Sequence, residues 1–339
     1  MGMLIDGSWV NDDKIIKDGK FHREQSKFAQ PFLLNEEVAS AAGQRCWLIA
    51  SNSCPWSHGV TITRAFHSLQ DQIGLHIAHG PRIQGYAING GATWAVPGTT
   101  AQIAHLHQLY TLSDPRFSGR PTVPVFWDAQ QATILSNESR RIMRALNSFG
   151  RDFGRHHFDL APDSLAAEID TVSNWLYDGL NNAVYRAGFA ESQDAYDSAV
   201  TDVFTTLDIL EERLSSRRYL LGTAITEADW RLFPTLVRFD AVYATLHRCQ
   251  RRRLTDYPAL WAYARDLYGW PGISETVDFA EIVRGSFLND TANNPHRIVP
   301  VRPAADWTTP HGRDALGDRC IHVRTGEMIV ANPATWREP

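Results

Sequence analysis

The stretch Trp47 to Phe66, WLIASNSCPWSHGVTITRAF, decides the fold. Trp47-Leu48-Ile49-Ala50 is an apolar run too short for a helix and bounded by polar residues, which predicts a buried strand. Ser51-Asn52-Ser53 breaks that pattern, and Cys54 comes next with Pro55 behind it. Proline suits the first turn of a helix, where its missing N–H costs nothing. Val60, Ile62, Thr63, Phe66 and Leu69 continue at roughly helical spacing. The expected order is strand, tight turn, cysteine at the first turn, helix.

Backbone N–H groups without partners and the positive end of the helix dipole stabilise an anion at such a position. A thiol placed there is a better thiolate, which makes Cys54 the candidate nucleophile. The competing reading, a small apolar filler, fits most free cysteines. The strand-turn-Cys-Pro-helix setting favours the nucleophile.

Working outward, 339 residues suffice for two domains and a substantial core. Hydrophobic residues at 43% and charged residues at 21% describe an ordinary globular composition. A formal charge of −5 provides no basic footprint for nucleic acid. Without a paired CxxC or a His-rich tract, a structural zinc site is not expected. The opening residues MGMLIDGSWVNDDKII lack a basic segment followed by an apolar one, and no apolar run approaches 18 residues, so neither secretion nor membrane spanning is expected. Cys46, Cys54, Cys249 and Cys320 are irregularly spaced, as thiols in a reducing cytoplasm would be. Cys54-Pro55-Trp56-Ser57 has no second cysteine, so a redox partner must be a small-molecule thiol.

Residues 1–44 read as an extension, either an extended arm across the surface or a poorly ordered terminus. A thioredoxin-like α/β domain is expected over 45–150, in the order βαβαββα. Its second strand is Ile73–Ala78, a helix covers Ala101–Leu112, a strand follows Pro124, Thr133–Leu135 returns as its hairpin partner, and a helix opens at Asn137-Glu138-Ser139. Pro124 belongs at a strand beginning or edge, and a cis bond after Val123 suits it. Residues 80–100 form a long Gly- and Pro-rich loop, in which Tyr86 and Trp94 either wall a substrate or pin the loop to the core. An all-helical domain is expected over 151–290, with helices at 164–182, 194–215, 226–247 and 257–268 and a capping box at Thr226-Glu-Ala-Asp229. A proline-interrupted tail, 291–339, reads as mostly irregular and packed on the helices.

This pattern resembles the cytosolic glutathione transferase fold. Cys54-Pro55-Trp56-Ser57-His58 is similar to the Cys-Pro-Trp-Ala-His motif of glutathionyl-hydroquinone reductases, the Xi class of that superfamily. Collinear support comes from Asp114–Arg120, Thr122–Val125, Ser136–Ser139, Val184–Ala190, Thr226–Asp229, Arg238-Phe-Asp240 and Ile298–Val301, so the resemblance runs from about residue 20 to 315.

The resemblance implies that Cys54 forms a mixed disulfide with glutathione, the co-substrate, with no metal, flavin or nicotinamide. It implies that Val123, before Pro124, pairs its backbone with the cysteinyl part, that Glu138 and Ser139 hold the γ-glutamyl end, and that Tyr86 covers glutathione, with Trp94 in the same loop. Plain helix capping is the other reading of Glu138 and Ser139. Tyr185 and Tyr243 would bind the phenolic ring, although buried tyrosines are also common between helices. His58 either tunes the thiolate or is structural. Three positions depart from the family pattern: Gly59 where arginine is usual, Tyr86 where tryptophan is usual, and Ser286-Phe287 where a tyrosine pair is frequent. The implied activity is reduction of S-glutathionyl-hydroquinones by a cytoplasmic homodimer. The alternatives are a pathway-specific glutathione lyase or transferase acting on another aromatic thioether or halide, and a non-catalytic binding protein.

Overall fold

The computed structural model describes residues 2–11, 16–23, 25–41, 43 and 45–331. Four strands, β1 (Cys46–Ala50), β2 (Ile73–Ile77), β3 (Val125–Asp128) and β4 (Thr133–Ser136), form a sheet in the order β4-β3-β1-β2. β1 is parallel to β2 and antiparallel to β3, which is antiparallel to β4. Both faces are covered, which is why β1 is apolar throughout instead of alternating. Leu48 and Ala50 point into one core and Ile49 into another, as the two-residue period of a strand requires.

On the first face lie α1 (Pro55–Phe66) and α3 (Ser139–Phe153). On the second lies α2 (Leu106–Ser113), whose Leu106 and Leu109 pack with Val125 and Trp127. Helix α2 starts later than the sequence suggests, because Gln102–Ile103 pairs instead with Trp94–Ala95 in a small hairpin. The long loop is therefore partly regular. The peptide between Val123 and Pro124 is cis.

The helical part comprises α4 (Ala166–Leu176), α5 (Ala183–Gly188), α6 (Gln193–Ser216), α7 (Glu227–Arg238), α8 (Pro258–Tyr268) and α9 (Phe279–Asn289). Thr226 and Asp229 form the expected capping box at the start of α7. The sequence pattern treats 164–182 and 226–247 as unbroken helices. Each instead contains a π-helical segment, Tyr177–Asn181 after α4 and Phe239–Tyr243 after α7. Such widened turns shift the facing of the residues that follow, and they are frequent at functional sites.

Both ends of the chain are more regular than their composition suggests. Met3–Ile5 and Ser8–Val10 form a hairpin, and Leu4 exchanges backbone hydrogen bonds with Gly119 at 2.8 and 2.9 Å. At the other end, β7 (Cys320–Val323) pairs with β8 (Met328–Val330), with β5 (Phe158–Asp159) and, in parallel, with β6 (Ala224–Ile225). The tail thus ends in a sheet, while most of 291–319 is irregular as the sequence suggests, and residues 332–339 lie outside the described residues. Among the described residues, no helix is long and apolar enough to cross a membrane.

Candidate active site

Cys54 is the N-cap of α1, one residue earlier than the sequence suggests. Its N–H donates to the Ser51 carbonyl at 3.0 Å, and its own carbonyl accepts the His58 N–H at 3.1 Å. The thiol therefore sits where the first N–H groups of the helix converge, and no side chain caps them. The sulfur lies 3.6 Å from the Val123 carbonyl oxygen, to which the thiol donates. All four cysteines are free. Burial pushes the thiols of Cys46 and Cys249 up to about 12, which keeps those two protonated in the core. Cys54 lines a cleft of about 810 Å³ between the sheet domain and the helices.

Tyr86, Val123, Tyr185 and Tyr243 line the same cleft. The Tyr185 and Tyr243 hydroxyls are 3.3 Å apart. Burial raises the pKa of both, so each phenol keeps its proton. Only one proton can occupy the bond between them, which leaves the other hydroxyl able to donate into the cleft. Tyr243 reaches this position from the last residue of its π-helical segment. Tyr86 lies under the Arg82 guanidinium, 3.9 Å from ring centroid to cation, while Arg82 Nη2 donates to Ser53 Oγ at 2.9 Å.

Pro124, Glu138 and Ser139 line a neighbouring cavity of about 440 Å³, which shares Arg23, Trp56, Arg120, Thr122 and Val123 with the cleft. Both Glu138 oxygens accept helix-start N–H groups, from Arg140 at 3.0 Å and Arg141 at 2.9 Å. The capping reading of Glu138 is thus realised in this structure. Ser139 occupies the first position of α3 beside it.

Trp94 is not brought to either cavity. It stacks on His76 at 4.4 Å and meets Trp47 edge-on at 6.3 Å, so it pins the loop against the sheet. The aromatic wall is Tyr86 alone of that pair.

Several lining residues escaped sequence reasoning. Arg23 of the N-terminal segment lies over Trp56 at 5.1 Å and Tyr185 at 5.2 Å, and its Nε donates to Asn182 Oδ1 at 3.0 Å. The Asp18-Gly19 turn was the available signal, since such a pair between short strands marks a hairpin, and Ile16–Lys17 does pair with Lys20–Phe21. His247 packs its ring against Tyr185 and Tyr243 at 5.1 and 5.2 Å, and burial lowers its pKa to about 4. No motif marks it.

The three departures have physical settings. Gly59 is buried, and a Cβ there would lie 3.2 Å from Met143 Sδ and 3.6 Å from the Trp230 carbonyl, so this is a packing position between α1, α3 and α7. Phe287 points into the core, whereas Ser286 lines the cleft.

The chain matches the family model described as glutathione S-transferase, C-terminal domain, over residues 193–266. It is 40% identical to glutathionyl-hydroquinone reductase YqjG of Escherichia coli, covering 93% of this chain and 99% of that protein. It is 38% identical to glutathionyl-hydroquinone reductase PcpF of Sphingobium chlorophenolicum, covering 90% and 97%. This chain belongs to the glutathionyl-hydroquinone reductases, the Xi class of glutathione transferases. Among solved structures, the Xi-class enzyme of Natrialba magadii superposes with a TM-score of 0.79 at 34% identity, covering 93% of this chain and 97% of that one. The glutathione-bound structure of YqjG gives 0.76 at 42%, covering 80% and 88%. The family therefore accounts for the sheet domain and the helical domain together.

Proposed function

We propose that this protein reduces S-glutathionyl-hydroquinones to hydroquinones, with glutathione as the thiol substrate and Cys54 as the nucleophile. The observation that carries the reading is Cys54 at the N-cap of α1, 3.6 Å from the Val123 carbonyl and in one cleft with the Tyr185–Tyr243 phenol pair.

In the first step the Cys54 thiolate attacks the sulfur of the conjugate. A sulfur–sulfur bond forms between Cys54 and glutathione, the carbon–sulfur bond breaks, and the ring carbon takes the electron pair and a proton. The Tyr185–Tyr243 pair donates a hydrogen bond to the ring oxygen as charge develops there. A second glutathione, as thiolate, then attacks the glutathionyl sulfur of the mixed disulfide. Cys54 departs as thiolate and glutathione disulfide is released. Overall, one conjugate and one glutathione give one hydroquinone and one glutathione disulfide.

The residues fit the peptide. The Val123 main chain next to cis-Pro124 presents an extended edge to the cysteinyl part. Beyond it, the cavity holding Glu138 and Ser139 offers a carboxylate for the ammonium group and a helix-start hydroxyl for the γ-glutamyl carboxylate. With the Arg140 and Arg141 N–H groups given to Glu138, Ser139 is the helix-start residue assigned to that carboxylate.

The test is steady-state release of hydroquinone from a glutathionyl-hydroquinone with added glutathione, comparing wild type with Cys54→Ala and recording intact mass. Turnover abolished in the variant, with a glutathione adduct on Cys54 of the wild type, supports the reductase. An adduct without turnover sinks the substrate assignment and leaves a lyase or transferase on another aromatic thioether, a reading favoured by Ser286 in the place of a phenol donor. The reading also carries a homodimer in a reducing cytoplasm. Light scattering tests the first, and a mass of one 38.1 kDa chain overturns it.

A further inference from the structure

Glutathione carries a carboxylate at each end. With the γ-glutamyl one at Ser139, the glycyl one still needs a partner, since a carboxylate taken out of water without one is costly. A peptide paired in extended form with Val123 has a fixed direction. Its γ-glutamyl end enters the cavity of Glu138 and Ser139, so its glycyl end runs the opposite way, past Cys54, into the part of the cleft that this cavity does not share. Ser53, Arg82, Gly85 and Tyr86 line that part.

Arg82 is fixed there from three sides. Its backbone N–H donates to Asn289 Oδ1 at 2.8 Å, and Asn289 is itself held on α9, its Nδ2 donating to the Gly285 carbonyl at 2.9 Å. Arg82 Nη2 donates to Ser53 Oγ at 2.9 Å, one residue before Cys54. The guanidinium lies 3.9 Å from the Tyr86 ring centroid. Helix α9 comes this close to Ser53 because residue 285 is glycine; a Cβ there would lie 2.8 Å from Ser53 Cβ. The five N–H donors of a guanidinium share one plane, so stacking on Tyr86 fixes the plane in which they point. The other charged groups of the cleft are placed differently. Arg23 and Arg120 belong equally to the γ-glutamyl cavity, and Arg248 donates to the Ala187 and Gly188 carbonyls and to Asn293 Oδ1. Asp290 accepts from Asn293 and lies 4.0 Å from His247, and Glu191 follows α5 on the helical side. Glu281 lines a neighbouring cavity of about 220 Å³ but not the cleft, and it pairs with Arg284 at 3.2 Å.

We propose that Arg82 binds the glycyl carboxylate of glutathione and so selects thiol substrates that end in a carboxylate. The inference rests on the peptide lying along Val123 and adds the residue that reads its far end. A guanidinium suits a carboxylate through two parallel N–H bonds, and one already held in place loses little freedom in forming them. Tyr86 then does more than cover the peptide, because it is also the platform on which the cation rests.

The experiment is calorimetric titration of the wild type and of Arg82→Gln with reduced glutathione and with its glycyl amide, which lacks only the charge at that end. The wild type is expected to bind the amide about fivefold to tenfold more weakly than glutathione. Arg82→Gln is expected to weaken glutathione by the same factor and to leave the amide unchanged, so that the preference disappears. Arg82→Lys, which keeps the charge but not the planar fork, should recover part of it. Equal binding of the two peptides by the wild type overturns the proposal without any variant. A preference that survives in Arg82→Gln overturns it too, as does a variant that weakens both peptides alike, since Arg82 would then only prop the loop. No glutathionyl-hydroquinone is used, so a conjugate that fails to turn over leaves the result standing. A wild type that binds neither peptide would instead overturn the thiol assignment, and this proposal with it.

Discussion

Gly59 shows how a single residue separates charge from packing. Where the family commonly has arginine, a Cβ in this chain already approaches Met143 Sδ at 3.2 Å. Gly59→Arg is therefore expected to destabilise the fold by about 1–3 kcal/mol through overpacking, without speeding Cys54 alkylation. Urea unfolding and the alkylation rate check the two halves, and a stable variant with a faster thiol would contradict both. At the phenol pair, removing either hydroxyl leaves one donor where two now share a bond of 3.3 Å. Tyr243→Phe should lower kcat by roughly 10- to 100-fold, since donors aimed at developing charge are worth a few kcal/mol. It should do so with a smaller change in KM, and equal effects on both would assign the hydroxyl to uniform binding. Cys54, Tyr185, Tyr243 and Val123 were legible in the sequence because local motifs carry them. Arg238 was visible only as part of Arg238-Phe-Asp240, since its partners Asn52 and His58 are distant in the chain.

Among elements, the sheet domain was readable because its strands and helices have short-range signatures: an apolar run for β1, proline at the start of α1, a Val-Pro before β3. The π-helical segments and the C-terminal sheet were not. A π turn changes the helical register without changing composition, and β7 pairs, beyond its neighbour β8, with Phe158–Asp159 and Ala224–Ile225, residues about 100 to 160 positions away. The contact of α1 with α3 is equally non-local. A Cβ at Gly150 would lie 2.3 Å from the His67 ring, and His67 is fixed by a 3.1 Å bond to Asn147. Replacing glycine by alanine in a helix gains about 1 kcal/mol in propensity. Overpacking costs about 1–3 kcal/mol or more. Because the clash is with a buried, hydrogen-bonded ring, Gly150→Ala is expected to lower the urea midpoint, and a raised midpoint would show that α3 moves freely against α1. The N-terminal segment has the opposite character, half-exposed and lying on the cleft. Arg23→Ala removes cation–π contacts with Trp56 and Tyr185, each worth about 0.5–1 kcal/mol at such sites. KM for the conjugate should rise about threefold to tenfold with Tm little changed, and a KM equal to wild type would place the segment outside the binding surface.

For the whole molecule, the buried histidines set the response to acid. Burial lowers the pKa of His67 and His247 to about 4 and holds that of His58 well below its ordinary value, which is near 6.5. Below about pH 6.5 the unfolded chain takes up these protons while the folded chain refuses them down to about pH 4. The unfolded state then binds more protons, so stability is full above pH 6.5 and is lost as the pH falls toward 4. Two carboxylates act in the other direction. Burial raises the pKa of Asp229 and Asp240, so the folded chain holds their protons longer and gains stability as the pH falls. Asp229, however, accepts from Leu220 N, Thr226 N and Tyr263 Oη, and those bonds oppose its protonation. Each histidine contributes on the order of 1.4 kcal/mol per unit of displacement, and three of them act against two carboxylates between pH 6.5 and 4. Urea unfolding at pH 7, 6, 5 and 4.5 should show the free energy of unfolding falling by several kcal/mol in total. The fall should be shallower in His67→Gln, which removes one titrating ring, and a profile flat to pH 4.5 would mean that the buried carboxylates, not the histidines, dominate.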